Sequence, residues 1–206
     1  PEYAKMWCWW RDWSREGVDE VFKRVQDIVK GAALMAGVEA RITVQGGDYE
    51  MLVNVAGEKI MHANLLALGP IQYTPEEQDF AKAIQRATGK PEKGLDGSPH
   101  PLEGQIAEGG STDVGDISWN VPTIHVSVTT APIDTPWHSW PVVACGGMSI
   151  GHKGLTHAAK ALAMTAVDLF EDDSARDNIR AEFAQKTAGH TYKAYIPPGP
   201  PPVPAQ

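Results

Sequence analysis

The stretch from Tyr3 to Val44 sets the tightest limit on what this chain can fold into. Side chains alternate from Tyr3 to Trp10: Met6, Cys8 and Trp10 fall on one face, and Lys5, Trp7, Trp9 and Arg11 on the other. A period of two, with tryptophans at 7, 9, 10 and 13, predicts a strand. Ser14 suits a helix N-cap. Val18, Val21, Phe22, Val25, Ile28, Val29 and Ala32 then recur at helical spacing, which predicts a helix over residues 15–36 closed by Gly37. Ala40 to Val44 reads as a second strand ahead of Gly46-Gly47. A strand–helix–strand unit leaves strand edges unpaired, so it calls for partner strands that residues 1–47 do not contain.

The remainder reads as a second, larger region. Tyr49 to Asn54 crosses into it. Ala56 to Leu68 carries a helical stripe of Ile60, Met61, Leu65 and Leu68, stopped by Gly69-Pro70. Thr74-Pro75-Glu76-Glu77 is a helix start, with a capping hydroxyl, a proline in the first turn and acids at the positive end of the dipole. That helix is expected to run to about Ala87. Residues 88–112 lack a period and are rich in Gly, Pro and Lys, and so read as a long functional or mobile loop. Val121 to Thr130 reads as a buried strand. Trp137 to Gly151 reads as loop, with a short strand placed at Val142 to Cys145. Leu155, Ala158, Ala159, Leu162, Ala163, Ala166 and Leu169 stripe a long helix whose small residues suggest packing on a sheet. A polar helix over Ser174–Lys186 and a proline-rich surface strap close the chain. The expectation is a mixed α/β fold in two parts, residues 1–49 and residues 50–206.

Charge and composition narrow the function. The net charge of −8 and the absence of a basic tract with interleaved aromatics argue against nucleic acid as a partner. No apolar run approaches the roughly 18 residues of a bilayer span, so no membrane partner is expected. Pro1-Glu2-Tyr3 does not read as a signal peptide. Cys8 and Cys145 make no disulfide framework. A cytoplasmic location is the expectation.

Chemistry concentrates between Gly109 and Trp140. A glycine-rich turn bearing hydroxyls and carboxylates, Gly109-Gly-Ser-Thr-Asp-Val-Gly-Asp, leads into an apolar run, and Thr-Pro-Trp-His-Ser-Trp follows. His138 is the strongest candidate: a neutral imidazole suits zinc, and the competing reading is a structural histidine in an aromatic cluster. Gly110, Ser111, Thr112 and Asp113 read as a substrate-facing turn, although spacing alone favours a helix N-cap at this point. Arg11 could clamp a carboxylate in a bidentate pair, where a surface ion pair is the commoner use. His125 reads as a core residue of its strand. Glu76-Glu77 is explained by the helix start. Cys145 has no neighbouring Cys or His that would make it a metal ligand.

These segments resemble the aminoacylase/carboxypeptidase-type zinc amidohydrolases, and within them the aminobenzoyl-glutamate branch. The resemblance rests on Gly109-Gly-Ser-Thr-Asp-Val-Gly-Asp-Ile-Ser-Trp, Val121-Pro-Thr and Pro136-Trp-His-Ser-Trp. Gly31-Ala-Ala-Leu-Met, Leu68-Gly-Pro, Tyr73-Thr-Pro-Glu-Glu, Ser149-Ile-Gly-His-Lys-Gly and the Ile196-Pro-Pro tail agree with it. It covers nearly the whole chain. It implies a catalytic α/β domain with two divalent metal ions, zinc or manganese in its place, and a lid domain that forms a homo-oligomer. Residues 1–49 would belong to the lid and residues 50–206 to the C-terminal part of the catalytic domain. His138 would match a metal ligand, Arg11 a lid arginine on the substrate carboxylate, and Gly110 to Asp113 the pocket turn. Pro1 would match the proline of an Asn-x-x-Pro segment.

The family's other ligands and its general-base glutamate find no match here. The implied function is therefore that of a C-terminal subunit or fragment of an enzyme that cleaves a small-molecule amide. Its activity would depend on an N-terminal half supplied as a separate chain, and the isolated chain would be inactive. The alternative is a scaffold or regulatory subunit that keeps the fold without catalysis, its Trp-rich segment serving as an interface or as plain core packing.

Overall fold

The computed structural model describes residues 2–102, 110–196 and 198–200. Among these residues it holds seven helices and no strand. They are α1 Arg15–Ala36, α2 Val55–Leu68, α3 Pro75–Ala87, α4 Val114–Ser118, α5 Trp140–Gly146, α6 Ser149–Glu171 and α7 Asp173–Lys186. The mixed-sheet α/β expectation is overturned. The runs at Tyr3–Trp10, Ala40–Val44 and Val121–Thr130 form no ladder. A strand exists only where another backbone lies alongside to bond it, and β-like composition alone does not supply that neighbour. No helix among the described residues is long and apolar enough to cross a membrane.

The chain divides into two compact units. The first gathers residues 1–52, 105–121 and 187–206. Its main element, α1, has the ends expected of it. The Ser14 hydroxyl accepts from Gly17 N at 3.1 Å, and Gly37 closes the helix at φ 65°, where a side chain would be strained. The Glu50 carboxylate takes a further orphan donor, Arg15 N, at 2.9 Å. Trp10 stacks on Phe22 with centroids 5.1 Å apart. Trp7, Trp9 and Trp13 stay exposed, which removes the core-packing reading for those three. No residue of α1 is fully buried, and Ile28, Leu34 and Met35 face water.

The second unit comprises residues 53–104 and 122–186. Its core joins Ala81 and Ile84 of α3, Leu95, Cys145 of α5 and Ile150 of α6. Burial pushes the Cys145 thiol up, so it stays neutral and packs as a small apolar group. Val142–Cys145 lies within α5, not in a strand. Ser139 stands at the N-cap and Pro141 in the first turn, both signals of a helix start. α6 packs against α2, α5 and α7. Asn64 ties α2 to α6 through Thr165 at 3.0 Å and Asp168 at 2.7 Å. The stripe expected to pack on a sheet is largely exposed at Leu155, Ala159, Leu162, Ala163 and Ala166, and the buried face of α6 is instead Ile150, Gly151, Gly154, Ala161 and Thr165. A Cβ on Gly154 would stand 2.5 Å from Thr130 Cγ2 and 2.8 Å from Thr129 O. Val121–Thr130 has no regular structure and is not buried, and His125 is exposed, with its backbone N–H bonded to Glu58 Oε1 at 3.0 Å.

Glu77 holds this unit's framework. It is 5% exposed and completes a capping box with Thr74, accepting Thr74 N at 2.7 Å. The same carboxylate accepts Ser149 Oγ at 2.5 Å and Lys153 Nζ at 2.6 Å, so one charge joins the start of α3 to the first turns of α6. Burial pushes the Glu77 carboxyl up, but the bonds from Lys153, Ser149 and Thr74 outweigh it and hold the group below its ordinary value of 4.5. A carboxyl with a depressed folded pKa adds stability that is present above its unfolded pKa and lost as pH falls through the folded one. Glu77→Gln should cost about 1–3 kcal/mol at neutral pH, because Lys153 and the cap lose a charged acceptor. The difference from the parent chain should shrink below pH 4.5. Thermal unfolding of both chains from neutral to acid pH checks this.

Candidate functional site

In the first unit, the segment 49–52 has no strand beside it, and α4 supplies side chains in place of a ladder. Asp116 Oδ2 accepts Tyr49 N at 3.3 Å, Ser118 Oγ accepts Leu52 N at 2.8 Å, and Trp119 Nε1 donates to Glu50 O at 2.9 Å. Tyr49 and Ser118 are buried. Gly115 permits this approach: a Cβ there would lie 1.9 Å from Tyr49 O, inside the carbonyl oxygen. Asp116 Oδ1 also accepts the Tyr192 hydroxyl at 2.8 Å. An aromatic group of Tyr49, Trp119, His190 and Tyr192 closes over these bonds, with centroids 4.3–5.6 Å apart. Arg15, ion-paired with Asp19 at 3.4 Å, lies over the rings of Tyr49 and Tyr195.

This framework carries the turn 110–113 on the N-terminal end of α4. Arg11 Nη1 donates to Ser111 Oγ at 2.9 Å, which brings together two predicted site residues 100 positions apart in sequence. Both are exposed. Ser111 accepts from Arg11, so its own O–H can donate to a ligand, and the rest of the guanidinium fork remains for a carboxylate. Thr112 is partly turned inward, its Oγ1 accepting Val114 N at 3.3 Å. Gly110 and Asp113 are exposed, and Asp113 stands at the N-cap of α4 without making a side-chain cap bond. Burial pushes the Asp48 carboxyl up, the Asp116 and Asp113 carboxylates push it further, and Arg11 pulls the other way. Arg11 thus faces an acidic neighbourhood and the hydroxyl of Ser111. Gly109 and Pro1 lie outside the described residues.

His138 belongs to the second unit. It is exposed and adopts φ 62°, a left-handed conformation that costs a residue with a Cβ about 1–2 kcal/mol. It lines an open hollow of about 590 Å³ with Trp137, Ser139, Trp140, Val142 and Val143. Ser139 Oγ bonds Pro136 O at 2.5 Å and fixes the bend on which the imidazole stands. Among the described residues, no three His, Cys, Asp or Glu side chains are grouped to hold a metal ion. An exposed imidazole can give a metal one donor, and the described residues alone do not make a metal site.

The residues that sequence reasoning missed are the anchors Tyr49, Glu50, Ser118 and Trp119. Ser118 and Trp119 lie within the glycine-rich motif itself, but nothing local marks them as partners of residues 49–52.

Comparison with known proteins adds a relative. A protein of Escherichia coli strain K12, named as a subunit of p-aminobenzoyl-glutamate hydrolase, is 32% identical over a 208-residue alignment covering 87% of this chain. The chain spans 43% of that protein's length, less than half. No family model and no solved structure matches. The chain is a homologue of that protein over the aligned part, and the resemblance read from the motifs stands.

The bond to Asp116, followed by burial, pushes the Tyr192 phenol above its ordinary value of 10.0. Asp116→Asn should bring it back toward that value and speed amide exchange at Tyr49. An ultraviolet titration of the phenols, together with hydrogen exchange, reads both effects.

Proposed function

We propose that this chain, a homologue of one p-aminobenzoyl-glutamate hydrolase subunit, works as part of a metal-dependent amidohydrolase that cleaves N-acyl amino acids or peptide-like amides of the aminobenzoyl-glutamate type. The observation that carries the reading is the 32% identity to a protein named as a hydrolase subunit, spread over 87% of this chain. The word subunit in that name supports a partner chain, which we propose supplies the remaining metal ligands and the general base. Two free cysteines, one exposed and one buried, agree with a reducing cytoplasm. A second copy of the chain, held through the first unit, belongs to the same proposal.

The roles of this chain's residues follow from their chemistry. Arg11 holds the carboxylate of the amino acid released by cleavage, its fork oriented by the bond to Ser111. The Ser111 hydroxyl offers one donor beside it. Gly110 exposes backbone, and Thr112 and Asp113 shape the turn. His138 gives one imidazole ligand to a metal, zinc or manganese, whose other ligands come from the partner segment. The metal supplies Lewis acidity when bound.

In the assembled enzyme, Arg11→Ala should raise KM for substrates bearing the carboxylate by roughly ten- to a hundredfold. Substrates lacking the carboxylate should change little, and an equal loss on both kinds would remove the clamp. His138→Ala should lose one metal per site by elemental analysis and most of the activity. An assembled complex with no metal and no hydrolysis would favour the scaffold reading.

A further inference from the structure

Residues 190–195 touch each of the segments that carry the Arg11–Ser111 pair of the first unit. The centre of the Tyr195 ring lies 3.2 Å from Arg15 Cζ, and that of the Tyr49 ring 4.5 Å from it. Gly47 leaves room for Tyr195, because a Cβ there would stand 2.7 Å from Tyr195 Cδ2. Lys193 N donates to the Tyr49 hydroxyl at 3.2 Å, and the Tyr192 hydroxyl donates to Asp116 Oδ1 at 2.8 Å. The His190 ring lies 4.3 Å from that of Trp119. One short stretch therefore joins the start of α1, residues 47–49 and α4.

Arg15 shows what the Tyr195 ring contributes. Its side chain is 10% exposed, and among the described residues its Nε and Nη1 make no hydrogen bond, the 3.4 Å contact with Asp19 being an ion pair only. The Tyr195 hydroxyl is likewise buried and unbonded. A buried cation with unbonded donors is costly, and two aromatic faces offset that cost here. The ring of Tyr195 does the holding, and its hydroxyl does not. Arg11 stands four positions before Arg15, and Ser111 five before Asp116. A small movement of either helix start would separate the 2.9 Å bond between them.

We infer that residues 190–195 are a positioning element for the carboxylate site. Tyr195 on Arg15 and Tyr192 on Asp116 hold the chain ahead of α1 and the chain ahead of α4 at the spacing that lets Arg11 reach Ser111. The inference rests on the amidohydrolase reading for the role of Arg11, and on the contacts alone for the spacing.

The test compares Tyr195→Phe, Tyr195→Leu and Tyr192→Phe. Nuclear magnetic resonance of the chain reads the Ser111 amide and the Arg11 Nε–H, with amides within α1 reporting that the unit stays folded. Tyr195→Phe keeps the ring and removes an unbonded hydroxyl, so both signals should stay at their parent positions. Tyr195→Leu removes the ring, and Tyr192→Phe removes the hydroxyl that holds Asp116, so each should move them. Unmoved signals in Tyr192→Phe or in Tyr195→Leu, or equal shifts in both phenylalanine variants, would overturn the inference. In the assembled enzyme, Tyr195→Leu should raise KM about three- to tenfold for substrates bearing the carboxylate, with kcat little changed. Substrates lacking the carboxylate should be unaffected, and an equal rise on both kinds would also overturn it. Arg11→Ala tests the reading beneath: if it weakens both kinds equally, the carboxylate role fails while the resonance result still decides the spacing.

Discussion

Backbone outside helices must have its N–H and C=O groups bonded, and in this chain side chains meet much of that demand, beside a few backbone bonds such as Ile71 N to Gly97 O at 2.9 Å and Ile133 N to Gly94 O at 3.0 Å. In the first unit, Asp116, Ser118 and Trp119 bond the backbone of residues 49–52. The second unit repeats the device. Gln78 bonds Leu95 N and O, and Gln85 bonds Gly94 N and Ile133 O. Tyr73 OH donates to Thr129 O at 2.7 Å, and Thr129 Oγ1 donates to Asp96 O. Such bonds are directional and specific to one partner, so each irregular segment is pinned at chosen points and not along its length.

Residues fixed by pins can be followed by short exposed turns. The 110–113 turn stays accessible in this way while α4, one residue later, is bolted to buried backbone. Arg11 likewise precedes the N-cap of α1, and Glu50 serves that helix end while its backbone carbonyl serves Trp119. In the second unit, Glu77 commits one carboxylate to a helix cap, a serine and a lysine. A buried charge with this many donors is costly to leave half satisfied, which makes it a specific junction as well as a stable one.

The helices are legible in the sequence because their signals are local. Ser14 and Gly37 bracket α1, Thr74 and Glu77 start α3, and Ser174 to Lys186 falls within α7. The expected sheet fails because Tyr3–Trp10 and Val121–Thr130 have strand composition, and composition carries no information on whether a second backbone lies alongside. α5 takes the place of an expected strand because Val142 and Val143 are β-branched, yet Pro141 and the preceding Ser139 decide the local conformation. The bond between Arg11 and Ser111 joins two residues that each stand out in the sequence, but their proximity cannot be read there. Ser118 offers no sign that its partner is Leu52, because that pairing is set by the fold and spans 66 positions.

The pin at Leu52 offers the most direct test. Its N–H reaches Ser118 Oγ at 2.8 Å, and Ser118 is fully buried. Amide hydrogen exchange should find Leu52 protected in the parent chain. In Ser118→Ala that protection should fall sharply while amides within α6 keep theirs. Undiminished protection of Leu52 in the variant would mean that another backbone bonds it, and the account of side chains standing in for a sheet would be wrong.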